Sequence, residues 1–321
     1  MNNYKFIMKY FGLIILVIIL SKIDIILLKD EILKTNLPFL FIAMALNIPH
    51  LFIKSYRWNL MLKQQNICFS PMQTFFAYMS SLYIGFITPG RLGEFVKVLY
   101  LKSGRGISIS KGFSSVLGDR LFDLYLLIVL GSIGLWKFDV LGELSDVFLV
   151  FTIIVLLSPL IMLNKKLTGK LIKILYNLAV IKKVKDKIEE SFEEFFDGLN
   201  QLINLQLLVS GLLTFIGYFM FFIQCYLIVL AMDLPINFIT ITFFMSISNL
   251  ISFIPISISG LGTRDATLIY LFSLFGLRSE LAVSYASLVF VTFFVFGGLI
   301  GALAWFRNPL EINIGLKPFR K

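Results

Sequence analysis

The chain has very little with which to do metal or covalent chemistry. One histidine, His50, and two cysteines, Cys68 and Cys225, stand in 321 residues. A lone histidine with two distant cysteines does not compose a transition-metal site, and two cysteines do not make a disulfide framework. Charge is scarce as well, at 15% of residues against about a quarter in soluble domains. The phosphate-loop pattern GxxxxGK[ST] is missing, so ATP hydrolysis is not expected. The apolar–polar alternation of a transmembrane β-barrel is missing too.

What is there is apolar. Hydrophobic residues make up 58% of the chain, 34 of them Phe, and apolar runs of membrane-spanning length recur from end to end. That pattern predicts an all-α polytopic membrane protein with one integral membrane domain over 1–321. The first run, "FIMKYFGLIILVIILSKIDIILL", is too long for a signal-peptide core and lacks an A-x-A cleavage site, so it reads as an uncleaved first span. A net charge of +10 fits basic loops on an anionic cytoplasmic leaflet better than it fits nucleic acid.

Lysine and arginine set the orientation. They precede the first span, cluster from Lys97 to Lys111, supply eight lysines against one aspartate between 165 and 187, and recur in the tail. Keeping all four regions in the cytoplasm puts both termini inside the cell membrane. It also requires 71–101 to enter from the cytoplasm and return, and 238–276 to enter from outside and return. Six full spans remain, at 6–28, 37–62, 113–136, 147–163, 205–231 and 281–306. The expected architecture is therefore six transmembrane helices with two oppositely oriented re-entrant helical hairpins. Gly/Pro-interrupted segments in two inverted halves are a transporter signature. The alternative, ordinary loops between eight or more spans, leaves Lys97 to Lys111 outside. Residues 164–204, basic then acidic at helical period, are expected to lie along the cytoplasmic interface.

Charges at bilayer depth are costly and point to function. The first break, "TPGRLGEFVK", holds Gly90, Arg91, Glu94 and Lys97. "GDRLFD" puts Asp119, Arg120 and Asp123 inside a span, and the second break, "SGLGTRD", holds Gly260, Gly262, Arg264 and Asp265. Four cations and four anions form a balanced set. Arg91 with Glu94, and Arg120 with Asp123, are spaced to pair along a helix, and Asp119 shares a face with Asp123. One reading is a closed ion-pair lock. The other is an anion site: half-helix N-termini starting after Gly90 and Gly260, with Arg91, Arg264 and Lys97, would hold a phosphate or headgroup, and the remaining charges would form a network around it. His50 reads as a packing residue, and Arg57-Trp58 as an interface anchor.

At these motifs the sequence resembles the transmembrane (flippase-like) domain family of lysylphosphatidylglycerol synthases and its stand-alone relatives. The resemblance rests on "RWNLML" at 57–62, "TPGRLGEFVKVLYL" at 88–101, "GDRLFDL" at 118–124 and "SGLGTRDATLIYLFSLFGL" at 259–277. Asp119 and Asp265 stand where the family tends to have Glu, and Lys97 where it tends to have Arg. The resemblance implies a membrane domain that binds or moves lipids. The full synthases add a soluble aminoacyl-transferase domain; here only fifteen residues follow the last span, so lysine transfer is not expected.

The reading that follows is a lipid translocase, not an enzyme, with no cofactor. Its partners would be membrane lipids, an anionic or aminoacylated phospholipid or a polyprenyl phosphate, and a neighbouring lipid-modifying enzyme or glycosyltransferase; oligomerisation stays open. The alternatives are a membrane enzyme or accessory subunit acting on a lipid-linked phosphate or sugar, and a small-solute transporter.

Overall fold

In the computed structural model, residues 15–88, 90–162, 185–254 and 257–307 are described. Among them all regular structure is helical. Helix α1 covers 15–22, and α2 runs from Ile25 to Leu33. The first run is thus interrupted: the Asp24 carboxylate accepts from the Ile26 and Leu27 N–H groups and starts a new helix. That N-cap outweighs the apolar continuity that made 6–28 look like one span. Residues 6–14 lie outside the described part.

Helices α3 (Leu37–Ala45) and α4 (Asn47–Gln64) follow end to end. A capping box of Ser70 and Gln73, with Pro71 in the first turn, starts α5 (Pro71–Phe86). A tight turn after α5 leads through a short 3₁₀ turn, Leu92–Phe95, into α6 (Val96–Arg105). Ser108 caps α7 (Ile109–Lys137), 29 residues long, which is about 43 Å of helix. Helices α8 (Ser145–Met162), α9 (Lys185–Gln201) and α10 (Gln206–Ala231) come next.

The second half repeats the motif of a broken helix. Asn237 caps α11 (Phe238–Phe253), an irregular stretch follows, and α12 (Thr263–Ser273) packs back against α11. The last long rod is α13 (Ser279–Val289), a π-helical segment over Phe290–Val295, and α14 (Phe296–Arg307). Three rods, Leu37–Gln64, Gln206–Ala231 and Ser279–Arg307, are long and apolar enough to cross a membrane. They coincide with three of the six expected spans.

Small residues bring the rods close. Gly297 and Gly301 make a GxxxG step on α14 that faces α5, where a Cβ at Gly301 would lie 2.7 Å from the Met79 carbonyl oxygen. Gly131 and Gly134 on α7 pack likewise against Leu250, Ile247 and Phe243 of α11. Of the expected interfacial segment 164–204, residues 164–184 lie outside the described part. In the part that is described, α9 buries Phe196 and sets Phe195 at a tilt against Phe113 of α7. Gln65, capping α4, donates to the Gly198 carbonyl of α9 at 2.9 Å.

The two breaks touch each other. The Gly90 N–H donates to the Ser257 carbonyl at 3.3 Å, and the Ser259 hydroxyl donates to the Phe86 carbonyl at 2.5 Å. Hydroxyls satisfy further backbone and polar groups there: Thr88 Oγ1 accepts from the Gly93 N–H at 2.7 Å, and Ser257 and Thr263 pair at 2.7 Å. Irregular backbone in an apolar molecule needs such partners.

Candidate functional site

The site grows from one face of α4. His50, Lys54 and Arg57 are spaced four and three residues apart, so they point one way. Opposite them stand Asp119 and Asp123 of α7, on one face as their spacing predicts. Arg57, only 1% exposed, reaches Asp119 Oδ1 through Nε at 3.0 Å and Nη2 at 2.6 Å. Its Nη1 reaches Asp123 Oδ1 and Thr214 Oγ1, each at 2.8 Å. Lys97 Nζ lies 2.9 Å from the other Asp119 oxygen and Lys54 Nζ 2.7 Å from the other Asp123 oxygen. Each carboxylate therefore bridges two cations, which is what lets these charges be buried.

Several expectations are corrected here. Arg57 and Trp58 are not an interface anchor: both are buried, Arg57 at the centre of the network and Trp58 beside the Lys97 ammonium. Lys97 is not a free headgroup ligand. It is 0% exposed, held by Asp119 and lying over the rings of Tyr78 and Trp58. Arg120 turns away from Asp123, which Arg57 and Lys54 already occupy, and pairs with Glu94. Glu94 is therefore not the partner of Arg91. Asp265 makes no ion pair among the described residues; its Oδ2 accepts from the Gly262 N–H at 2.7 Å and closes the first turn of α12. With the Gly90 and Gly262 N–H groups both engaged inside the protein, neither is left for a phosphate. Gly260 serves the turn itself, at φ +77°.

Arg91 and Arg264 remain. Neither has a carboxylate partner among the described residues; Arg264 makes one long contact, Nη2 to the Ala286 carbonyl at 3.4 Å, and its buried Nε has no partner. Their guanidinium carbons lie 5.0 and 5.1 Å from the centre of one ring, Phe294, so they are within about 10 Å of each other. Arg91 sits at φ 56°, ψ 29°, left-handed backbone that costs a non-glycine residue of the order of ~1 kcal/mol or more.

Phe294 is placed by the π-helical segment, whose wider turn sets Phe290, Phe293 and Phe294 toward the breaks. Such segments disturb the regular hydrogen-bond ladder. Asn47 of α4 compensates by donating to the Thr292 carbonyl at 2.9 Å.

Arg91, Arg264, Glu94, Arg120, Lys54 and His50 all line one cavity, with Asn249, Ser252 and further polar and apolar side chains completing the wall. About 70 Å³ of it is open to water centres. That is several times the ~10–15 Å³ one water needs, and it suits a small anionic group rather than a whole lipid. The His50 ring packs near Phe221, and its buried Nδ1 has no hydrogen-bond partner among the described residues, so the side chain packs without a hydrogen bond at that atom. Among the described residues no three of His, Cys, Asp and Glu converge on a metal position.

The sequence brought Asp119, Asp123, Glu94, Arg120, Arg91 and Arg264 to notice, and the structure gathers all six. It missed Lys54, Asn47 and Phe294. The helical spacing of His50, Lys54 and Arg57 was the available signal for the first; no signal marked the other two.

Residues 7–301 match the family described as the lysylphosphatidylglycerol synthase TM region. Among curated relatives, a UPF0104 membrane protein of Methanocaldococcus jannaschii is 25% identical over 304 residues, covering 88% of this chain and 90% of its own length. Another from Pyrococcus horikoshii is 25% identical over 297 residues, covering 86% and 88%. No solved structure matches the chain.

Proposed function

The chain belongs to the lysylphosphatidylglycerol synthase TM-region family and is an integral membrane protein, and on that premise we propose that it is a lipid translocase of the cell membrane. One observation carries the proposal. Two arginines from two separate helix breaks, without carboxylate partners among the described residues, converge on one ring in one cavity. Uncompensated arginines in an apolar molecule are arranged for an anion that arrives from elsewhere, and their planar forks suit phosphate oxygens.

In this reading 71–101 and 238–276 are re-entrant hairpins of opposite orientation that meet near the midplane, and both termini are cytoplasmic. The phosphate of an anionic or aminoacylated phospholipid, or of a polyprenyl lipid, enters between the breaks while its tails stay in lipid. The Arg57 network holds α4 and α7 together as the fixed wall. Among the described residues the breaks are joined by the Gly90–Ser257 and Ser259–Phe86 hydrogen bonds, and parting them opens the site. The chain does no covalent chemistry in this scheme; a lipid-modifying enzyme or glycosyltransferase supplies or takes the lipid.

The test is leaflet exchange in liposomes carrying the purified protein and fluorescent phosphatidylglycerol, lysylphosphatidylglycerol or polyprenyl phosphate. At least one of these lipids is expected to exchange, and Arg264→Gln to lose that exchange. Silence for every lipid, with the protein folded, would contradict the proposal.

A further inference from the structure

The cavity and the network behind it carry more positive charge than their carboxylates neutralise. Arg57, Lys97 and Lys54 face Asp119 and Asp123, and Arg120 faces Glu94. Among the described residues, Asp265 is the carboxylate left to set against Arg91 and Arg264, and it is turned to its own helix start. With His50 neutral, six cations meet four carboxylates, leaving a formal charge of +2. The balanced set that the sequence suggested omitted Lys54 and Arg57, and those two residues supply the excess.

The excess divides between two places: Arg57, Lys97 and Lys54 against Asp119 and Asp123 leave one charge, and Arg91 and Arg264 against Asp265 leave the other. Only Arg91 and Arg264 of these cations touch no carboxylate among the described residues, so an incoming anion meets them. Their guanidinium carbons are within about 10 Å of each other, close enough for N–H···O bonds of ~2.9 Å from both sides of a single phosphate. Arg264 is only 2% exposed, with its Nε unpartnered, and Asn249 and Ser252 add neutral polar groups to the wall.

Resting on the translocase reading, we propose that this site is built for a phosphate bearing two negative charges, the monoester or terminal-diphosphate type, in preference to the singly charged diester of ordinary phospholipids. A diester offers two non-ester oxygens sharing one charge. A monoester offers three oxygens and up to two charges. Two guanidinium forks present at least four N–H donors, which a monoester satisfies with a charge to match each fork and a diester leaves half-neutralised. The ligand's charge then closes the ledger of the whole cluster.

The experiment compares dodecyl phosphate with its methyl diester, two ligands of one tail that differ in charge. Binding to the purified full chain in detergent is measured by calorimetry at about pH 8, where the monoester is fully ionised. The monoester is expected to bind roughly tenfold tighter or more. Arg264→Gln and Arg91→Gln are each expected to erase that preference at an unchanged melting temperature, and Arg264→Lys to keep part of it. Competition by inorganic phosphate separates the sources: displacement of dodecyl phosphate means the free ion is also recognised, and no displacement means the tail is required, both consistent with two-charge recognition. Equal binding of monoester and diester, or binding of neither, would overturn the proposal. Equal binding would leave translocation of singly charged lipids standing; tight monoester binding with no leaflet exchange would instead sink the translocase reading alone.

Discussion

Arg57 and Arg264 are the same residue type, 1% and 2% exposed, yet the structure gives them opposite duties. Arg57 is clasped by Asp119 and Asp123, so Arg57→Met leaves each buried carboxylate with a single lysine and strips the guanidinium hydrogen bonds from both. A loss of about 3–5 kcal/mol is expected, seen as a clear drop in melting temperature in detergent. Arg264→Gln removes a charge with no carboxylate partner and is expected to leave the melting temperature unchanged. At Arg91 the left-handed backbone adds a term, so Arg91→Gly is expected to be neutral or stabilising by up to ~1 kcal/mol while abolishing function. The aspartates were legible in the sequence because carboxylates inside an apolar helix stand out and their four-residue spacing fixes a shared face. Their partner was not: Arg57 lies 62 positions from Asp119, next to a tryptophan at the end of an apolar run, which is also what a membrane-interface anchor looks like.

At the scale of elements, the breaks were legible and the distortions inside helices were not. Pro89-Gly90 and the glycines at 260 and 262 announce where helix cannot continue, and Gly90, Gly260 and Gly262 do adopt positive φ outside the α-helices. "FVTFFV" announces nothing, yet its π-helical turn sets Phe294 under both arginines. A side chain 245 positions away, Asn47, donates to the carbonyl of Thr292 in that turn, and sequence patterns do not carry such long-range pairings. Asn47→Leu removes the donor to the Thr292 carbonyl, and a loss of about 1–3 kcal/mol is expected together with weakened function. Gly301→Val forces a branched side chain against the Met79 carbonyl, so α5 and α14 must separate. A loss of about 1–3 kcal/mol in thermal unfolding is expected there as well.

For the molecule as a whole, the notable fact is that two helix breaks some 170 residues apart in sequence meet through backbone contacts and share a cavity. If they part to admit a headgroup, tying them shut must stop transport. With Cys68 and Cys225 replaced by Ser, Ile87→Cys with Ser259→Cys is expected to block leaflet exchange when joined by a short cleavable bifunctional thiol reagent, and to recover when the link is cut. The most direct test of a common anion site is a double-mutant cycle in the leaflet-exchange rate, using Arg91→Gln, Arg264→Gln and the pair. Each single change is expected to slow exchange by tenfold or more, about 1.4 kcal/mol, and the double change to be no slower than the worse single one, because the two arginines hold one phosphate. Exchange left undiminished by either single change, or losses that simply add, would contradict a shared site.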